Sequence, residues 1–110
     1  MNKHRQKGYK LEHFLEKFFN ENGIEVKRRG LAYEEDLVFI KTGEKMEVKN
    51  RKNANLSQIY EFLGENDYLV IKQTSRKHRN RPILVVMKLE KFLELLRGRI
   101  VKEEENVKEK

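Results

Sequence analysis

The stretch Asp36-Leu-Val-Phe-Ile-Lys-Thr-Gly-Glu-Lys-Met-Glu-Val-Lys49 decides how the chain is read. Asp36, Leu37, Val38, Phe39 and Ile40 form a β-branched and aromatic run, the composition of a strand. Lys41, Thr42, Gly43 and Glu44 are polar and include a glycine, which marks a turn. Lys45 to Asn50 alternates around Met46 and Val48 and reads as a second strand. With Thr42 and Gly43 at the tip, Val38 falls opposite Glu47 and Asp36 opposite Lys49. Side chains alternate faces along a strand, so Asp36, Glu47 and Lys49 share one face. Leu37, Phe39, Met46 and Val48 take the other, the expected core face.

Two carboxylates roughly 4–6 Å apart repel each other, and a hard divalent cation relieves the repulsion. Mg²⁺ prefers oxygen ligands and keeps several waters, one of which can be activated against a phosphodiester. A lysine beside such an ion can orient or deprotonate that water, or stabilise charge on the phosphate. The plainer reading is a solvated hairpin face in which Asp36 and Lys49 form an ordinary cross-strand ion pair.

The rest of the chain bears on that choice. At 110 residues it has the length of one domain, with 37% hydrophobic residues for a single small core. Charged residues make up 39%, against about 25% in ordinary domains. The net charge of +7 and a pI near 9.6 favour a polyanionic partner, nucleic acid or an anionic membrane. No apolar run reaches the ~18 residues of a membrane span, and neither long helix pairs a basic polar face with an exposed apolar one. The segment Met1-Asn2-Lys3-His4-Arg5-Gln6-Lys7 leads into a charged helix, not an apolar signal core. These features predict a soluble, intracellular, cytoplasmic protein with no membrane partner. The absence of cysteine excludes disulfides and Cys-based zinc sites.

In chain order, Met1 to Lys7 is basic and reads as poorly ordered on its own. A helix is expected from about Tyr9 to Asn22, with Leu11, Phe14, Leu15, Phe18 and Phe19 at helical spacing and Asn22-Gly23 as its stop. Glu12 lies at the edge of that stripe. There it either points along the sheet towards Asp36 and Glu47 or snorkels to water. Ile24 to Lys27 is a short strand. Arg28, Arg29 and Gly30 open a loop to Glu35 in which the arginines are phosphate contacts or an exposed basic turn. Tyr33 of that loop either stacks on a base or packs locally, and Glu34 and Glu35 directly precede Asp36. Arg51 and Lys52 continue the basic character after the hairpin. Leu56 to Leu63 reads as a helix and Asp67 to Lys72 as a strand. Gln73 to Arg81 is a polar loop carrying Arg76, Lys77, Arg79 and Arg81, either an arm for a nucleic-acid backbone or a solvated loop. Ile83 to Met87 reads as a strand buried on both faces. A final amphipathic helix carries Leu89, Phe92, Leu93, Leu96 and Ile100, and Lys102 to Lys110 is a charged tail or a frayed helix end. The reading is therefore α/β, a single domain over residues 1–101 with a tail over 102–110. A central mixed β-sheet is flanked by helices in the order α-β-β-β-α-β-β-α.

Order and residues together resemble the PD-(D/E)xK, or restriction-endonuclease-like, nuclease superfamily, and most nearly its archaeal-type Holliday junction resolvases. The resemblance is carried by Lys7-Gly8 followed by Glu12, Gly23-Ile24, Asp36-Leu37-Val38 and Glu47-Val48-Lys49. It covers about Lys7 to Asn53; beyond that only the element order is shared. Two positions depart from it: Glu35 stands before Asp36 where the family has proline, and the loop Arg28 to Glu35 lacks a serine. The resemblance implies a restriction-endonuclease-like core and a Mg²⁺-dependent endodeoxyribonuclease, with Mn²⁺ able to substitute, working in DNA recombination and repair. It implies Asp36, Glu47 and the main-chain carbonyl of Val48 as metal ligands. Glu12 becomes an assisting ligand or water contact, and Lys49 the catalytic lysine. Arg5, Lys7, Arg28, Arg29, Arg51, Lys52, Arg76, Lys77, Arg79 and Arg81 are the candidate nucleic-acid contacts. The alternatives are a nuclease on nicked, flapped or plain duplex DNA, and a non-catalytic nucleic-acid-binding protein of the same fold. One candidate metal site per chain suggests a homodimer for coordinated cutting of branched DNA. Ile83 to Met87 and Leu95 supply apolar surface for it, unless the monomer core consumes them.

Overall fold

The computed structural model describes residues 3–29, 36–77 and 79–108, with side chains described between 9 and 98 of those. The order is α1 (Lys3–Glu21), β1 (Val26–Arg28), β2 (Leu37–Phe39), β3 (Lys45–Arg51), α2 (Leu56–Leu63), β4 (Tyr68–Gln73), β5 (Leu84–Val86) and α3 (Leu89–Lys108). This is the order the sequence predicts. Five strands form one mixed sheet in the order β1-β2-β3-β4-β5. Only β3 and β4 run parallel, and α2 makes the crossover between them.

The two sheet faces have separate cores. Leu11 and Leu15, one turn apart on α1, pack with Leu37, Met46, Val48, Tyr68 and Val70. Leu63 of α2 packs with Leu69 and Ile71 on the opposite face. The four consecutive residues Tyr68, Leu69, Val70 and Ile71 are all buried, since α1 covers one face of β4 and α2 the other. The sequence predicts both-face burial for Ile83 to Met87, and here the structure corrects it. β5 is an edge strand with a neighbour on one side only, and Leu84 and Val85 are 57% and 51% exposed.

Other boundaries move for local reasons. α1 begins at Lys3 rather than Tyr9, so the basic N-terminal segment is helical. Of its apolar stripe, Phe14 and Phe18 stay exposed and stack on each other with ring centroids 5.9 Å apart. Gly23, at φ +81°, ends the helix in a conformation that a side chain would strain. The hairpin register differs from the expected one by two residues: Leu37 pairs with Met46 and Val38 with Lys45. Phe39 donates its N–H to the carbonyl of Glu44, and Gly43 (φ +74°) closes the longer turn. A shift of two preserves the alternation of faces, so the predicted core face stands.

α3 is helical to Lys108, so of the two readings for the charged segment from Lys102 to that residue the structure fits the helix end. An amphipathic stripe is expected to pack on the sheet, yet Leu89, Phe92, Leu93 and Leu96 are all exposed, as is Leu95. Lys91 fastens the start of the helix, with Nζ 2.7 Å from Glu44 Oε2 and 3.6 Å from Asp67 Oδ1. Tyr68 also donates its hydroxyl to Glu44 at 2.8 Å. Burial alone would raise the Glu44 carboxyl, but hydrogen bonds from Lys91, Tyr68 and Thr42 outweigh it and hold the group below its ordinary range.

Candidate active site

The site is built where the β2–β3 ladder stops. The Asp36 N–H donates to the carbonyl of Met46 at 3.1 Å, extending the pairing by one residue beyond Leu37. That register sets Asp36 beside Glu47. The next inward-facing amide of β3, Val48 N–H, has no β2 backbone to meet. The Asp36 carboxylate takes that place and accepts from it at 2.7 Å. N–H and C=O of one strand residue point the same way, so the Val48 carbonyl also faces the Asp36 side.

Two further carboxyls meet this one. Glu12 on α1 and Glu47 on β3 both lie close enough to Asp36 for its carboxyl to perturb them. Burial and then the neighbouring Asp36 push both glutamates up to about 7. Lys49 Nζ lies 3.4 Å from Glu47 Oε1 and 5.1 Å from the centroid of the Phe62 ring. The cross-strand pair Asp36–Lys49 of the plainer reading is replaced by a pair along one strand.

Glu12, Asp36, Glu47 and Lys49 are thus brought together as the sequence anticipates, with Glu12 pointing to the sheet and not to water. Among the described residues no three His, Cys, Asp or Glu side chains are disposed as a ready-made metal-binding group. Glu12 and Glu47 each turn to Asp36. The donor set nevertheless suits a hard cation in kind: half-buried carboxyl oxygens, those of Glu12 and Glu47 pushed up to about 7.

Arg28 has a more structural part than a simple phosphate contact. Its backbone N–H donates to Glu16 Oε2 at 2.9 Å and its Nε lies 3.4 Å from Glu16 Oε1. Its guanidinium sits 4.8 Å from the centroid of the Tyr9 ring. Hydrogen bonding to Tyr9 is the largest influence raising its pKa, and its charge opposes the rise at Glu12. Sequence reasoning does not single out Tyr9, Glu16 or Phe62. Glu16 and Tyr9 share the helical phase of Glu12, which is the signal that could have found them.

A comparison with known protein families, curated proteins and solved structures finds no match for this chain. The functional reading rests on the residues themselves.

Of the basic residues, Arg51 lies on the same face of β3 as Lys49 and also stacks on Phe62, 5.1 Å from the ring centroid. Arg29, Lys52, Arg76, Lys77, Arg79 and Arg81 are exposed. Arg81 lines a cleft with Arg51. The side chains of Arg5 and Lys7, and the residues Tyr33, Glu34 and Glu35, lie outside the described set. No helix among the described residues is long and apolar enough to cross a membrane.

Proposed function

We propose that this chain is a metal-dependent DNA endonuclease that hydrolyses phosphodiester bonds in branched DNA, in the manner of a Holliday junction resolvase on a restriction-endonuclease-like core. The supporting observation is the meeting of Glu12, Asp36 and Glu47 at the end of the β2–β3 ladder, with Lys49 paired to Glu47 at 3.4 Å. Burial and the neighbouring Asp36 make Glu12 and Glu47 costly to ionise, and neither glutamate gains a fixed cation that cancels the rise. A protein that only bound nucleic acid would have no use for acidic groups facing phosphate.

Asp36, Glu47 and the Val48 carbonyl would hold Mg²⁺, with Glu12 assisting and Mn²⁺ able to replace it. The bound ion would supply Lewis acidity at the scissile phosphate and lower the pKa of water. Asp36 keeps its carboxylate aimed by accepting from Val48 N–H. Lys49 is held at the edge of the cluster by Glu47 and Phe62, where its ammonium can orient the attacking water or neutralise charge developing on the phosphate. Arg28, Arg29, Arg51, Lys52 and the loop bearing Arg76, Lys77, Arg79 and Arg81 would hold the backbone without reading sequence.

The partner for paired cutting would be a second copy of this chain. The exposed apolar face of α3, with Phe92 and Leu95 each 48% exposed, and the open edge of β5 each offer surface of the kind that marks an interaction site. Incubating the protein with a labelled four-way junction, a nicked duplex and a plain duplex, in Mg²⁺ or EDTA, tests the reading. Cleavage of the junction in Mg²⁺ only is the expected result. Full cleavage in EDTA would rule out the mechanism, and equal rates on plain duplex would leave a general nuclease.

A further inference from the structure

A cleft lies further along β3 than Glu47 and Lys49, lined by Arg51 of the same strand. It sits at the carboxyl ends of the parallel strands β3 and β4 and has a volume of about 250 Å³. Its walls are aliphatic, from Ala54, Ile59, Ile71 and Leu84, and its polar groups include Arg51 and the Gln73 amide. Arg51 and Gln73 are register partners at the last rung of the β3–β4 ladder. Crevices at the carboxyl ends of parallel strands are common ligand sites in α/β sheets. This one is smaller than the ~300–1,000 Å³ of a drug-sized pocket, a volume suited to one planar ring system.

Its position relative to Lys49 identifies the occupant. Glu47, Lys49 and Arg51 are alternate residues of one strand and share a face. Lys49 and Arg51 are therefore about 7 Å apart along β3 at ~3.3 Å per residue, and both sit against Phe62. A strand whose scissile phosphate lies at Glu47 and Lys49 meets Arg51 with its next phosphate, a charge-assisted contact. The base attached beyond that phosphate would then come to the mouth of the cleft. Arg81 adds a second guanidinium to the same walls. Gln73, whose Nε2 donates to the Lys52 carbonyl at 3.0 Å, is held in place to hydrogen-bond a base edge.

We propose that this cleft receives an unpaired nucleobase of the substrate strand, next to the phosphate that is cut. The proposal rests on the nuclease reading and deepens it. A base can enter only where it is already unstacked or cheaply extruded, as at a branch point, nick or mismatch. Selectivity for DNA structure would then arise in the monomer, beside the chemistry, and not only from the spacing of two subunits.

The lining gives a specific optical test. None of the described residues that line the cleft is aromatic, so a fluorescent base inside it is relieved of stacking without meeting a new ring. A four-way junction would carry 2-aminopurine at successive positions around the crossover, with binding followed by anisotropy in Ca²⁺ or EDTA, where no cutting is needed. Emission should rise severalfold at one position on binding, and not when the same base sits in a plain duplex. Leu84→Trp, at a site exposed enough to tolerate it, and Ala54→Leu should each fill the cleft and abolish the rise. Both should weaken junction binding severalfold, through the apolar contact one bound base would lose. Circular dichroism confirms that each variant is folded. Junction binding without any rise, or a rise that survives in both variants, overturns the proposal. A rise that both variants abolish, in a protein that never cuts in Mg²⁺, keeps the base cleft and removes the nuclease. Cutting without a rise does the reverse.

Discussion

Asp36→Asn should make the metal-free protein more stable at pH 8 while abolishing cleavage. Glu12 and Glu47 are both pushed from 4.5 to about 7. For a carboxyl with a raised folded value, the unfolded chain loses its proton first. Stability therefore falls as pH rises from about 4.5 to about 7 and stays lower above it. At about 1.4 kcal/mol per pK unit, either shift alone corresponds to at most ~3.5 kcal/mol. Burial is the first cause of both shifts and survives the substitution. The two glutamates also share one partner, and solvent screens groups as open as these. What leaves with the Asp36 charge is therefore about 1–2 kcal/mol, or roughly 4–8 °C in Tm for a domain of this size. The asparagine oxygen can still accept from Val48 N–H, so the ladder end is kept. The assay is thermal or urea unfolding by circular dichroism from pH 4.5 to 8 in EDTA. Wild type should lose stability across that window, and the two proteins should converge at its acid end. Mg²⁺ should raise the wild-type midpoint at pH 8 in a concentration-dependent way and leave the variant's unchanged. A variant destabilised equally at pH 4.5 and pH 8, or a wild type with a flat profile, would refute the reasoning.

Lys49→Ala should lower the single-turnover cleavage rate by roughly 10²–10⁴-fold with little weakening of DNA binding; an unchanged rate returns Lys49 to an ion-pair role. Replacing Arg76, Lys77 and Arg79 together by alanine should flatten the dependence of log affinity on log salt by about 0.9 for each phosphate no longer neutralised; an identical slope means the loop does not touch the backbone. Phe92→Glu with Leu95→Glu should turn a light-scattering dimer at micromolar concentration into a monomer without altering the circular dichroism of the fold. A wild type that is monomeric with and without junction DNA would defeat the dimer.

Much of the fold was legible because it depends on local periodicity. Leu11 and Leu15 mark the buried face of α1, and the bounds of α2 match its apolar spacing and the capping box of Asn55 with Gln58. What failed depends on neighbours that no local window contains. Tyr68 to Ile71 and Ile83 to Val86 are similar apolar runs, yet one has strands on both sides and helices on both faces, and the other ends the sheet. The spacing of Leu89, Phe92, Leu93 and Leu96 announces an amphipathic helix but does not say what its apolar side meets. Tertiary contact covers Leu11 and Leu15 of α1, though not Phe14 and Phe18, and leaves the apolar side of α3 open.

The candidate site was legible for a similar reason, and its chemistry was not. Alternation placed Glu47 and Lys49 on one face, and helical phase placed Glu12 at an edge, whatever the hairpin register. The register decides what those groups do to each other. With the tip at Thr42 and Gly43, Asp36 would face Lys49, and the hairpin would close on an ordinary ion pair. With Leu37 opposite Met46, Asp36 lies beside Glu47 instead, and like groups meet. Lys49 stays on the far side of Glu47, pairing along its own strand at 3.4 Å. Asp36 cannot simply swing away, because its carboxylate completes the β3 ladder at Val48. One side chain is thus both the last rung of the hairpin and the hub of the acidic cluster. The raised values of Glu12 and Glu47 set their ionisation against the stability of the fold, and on the proposed nuclease reading a divalent cation would offset that cost.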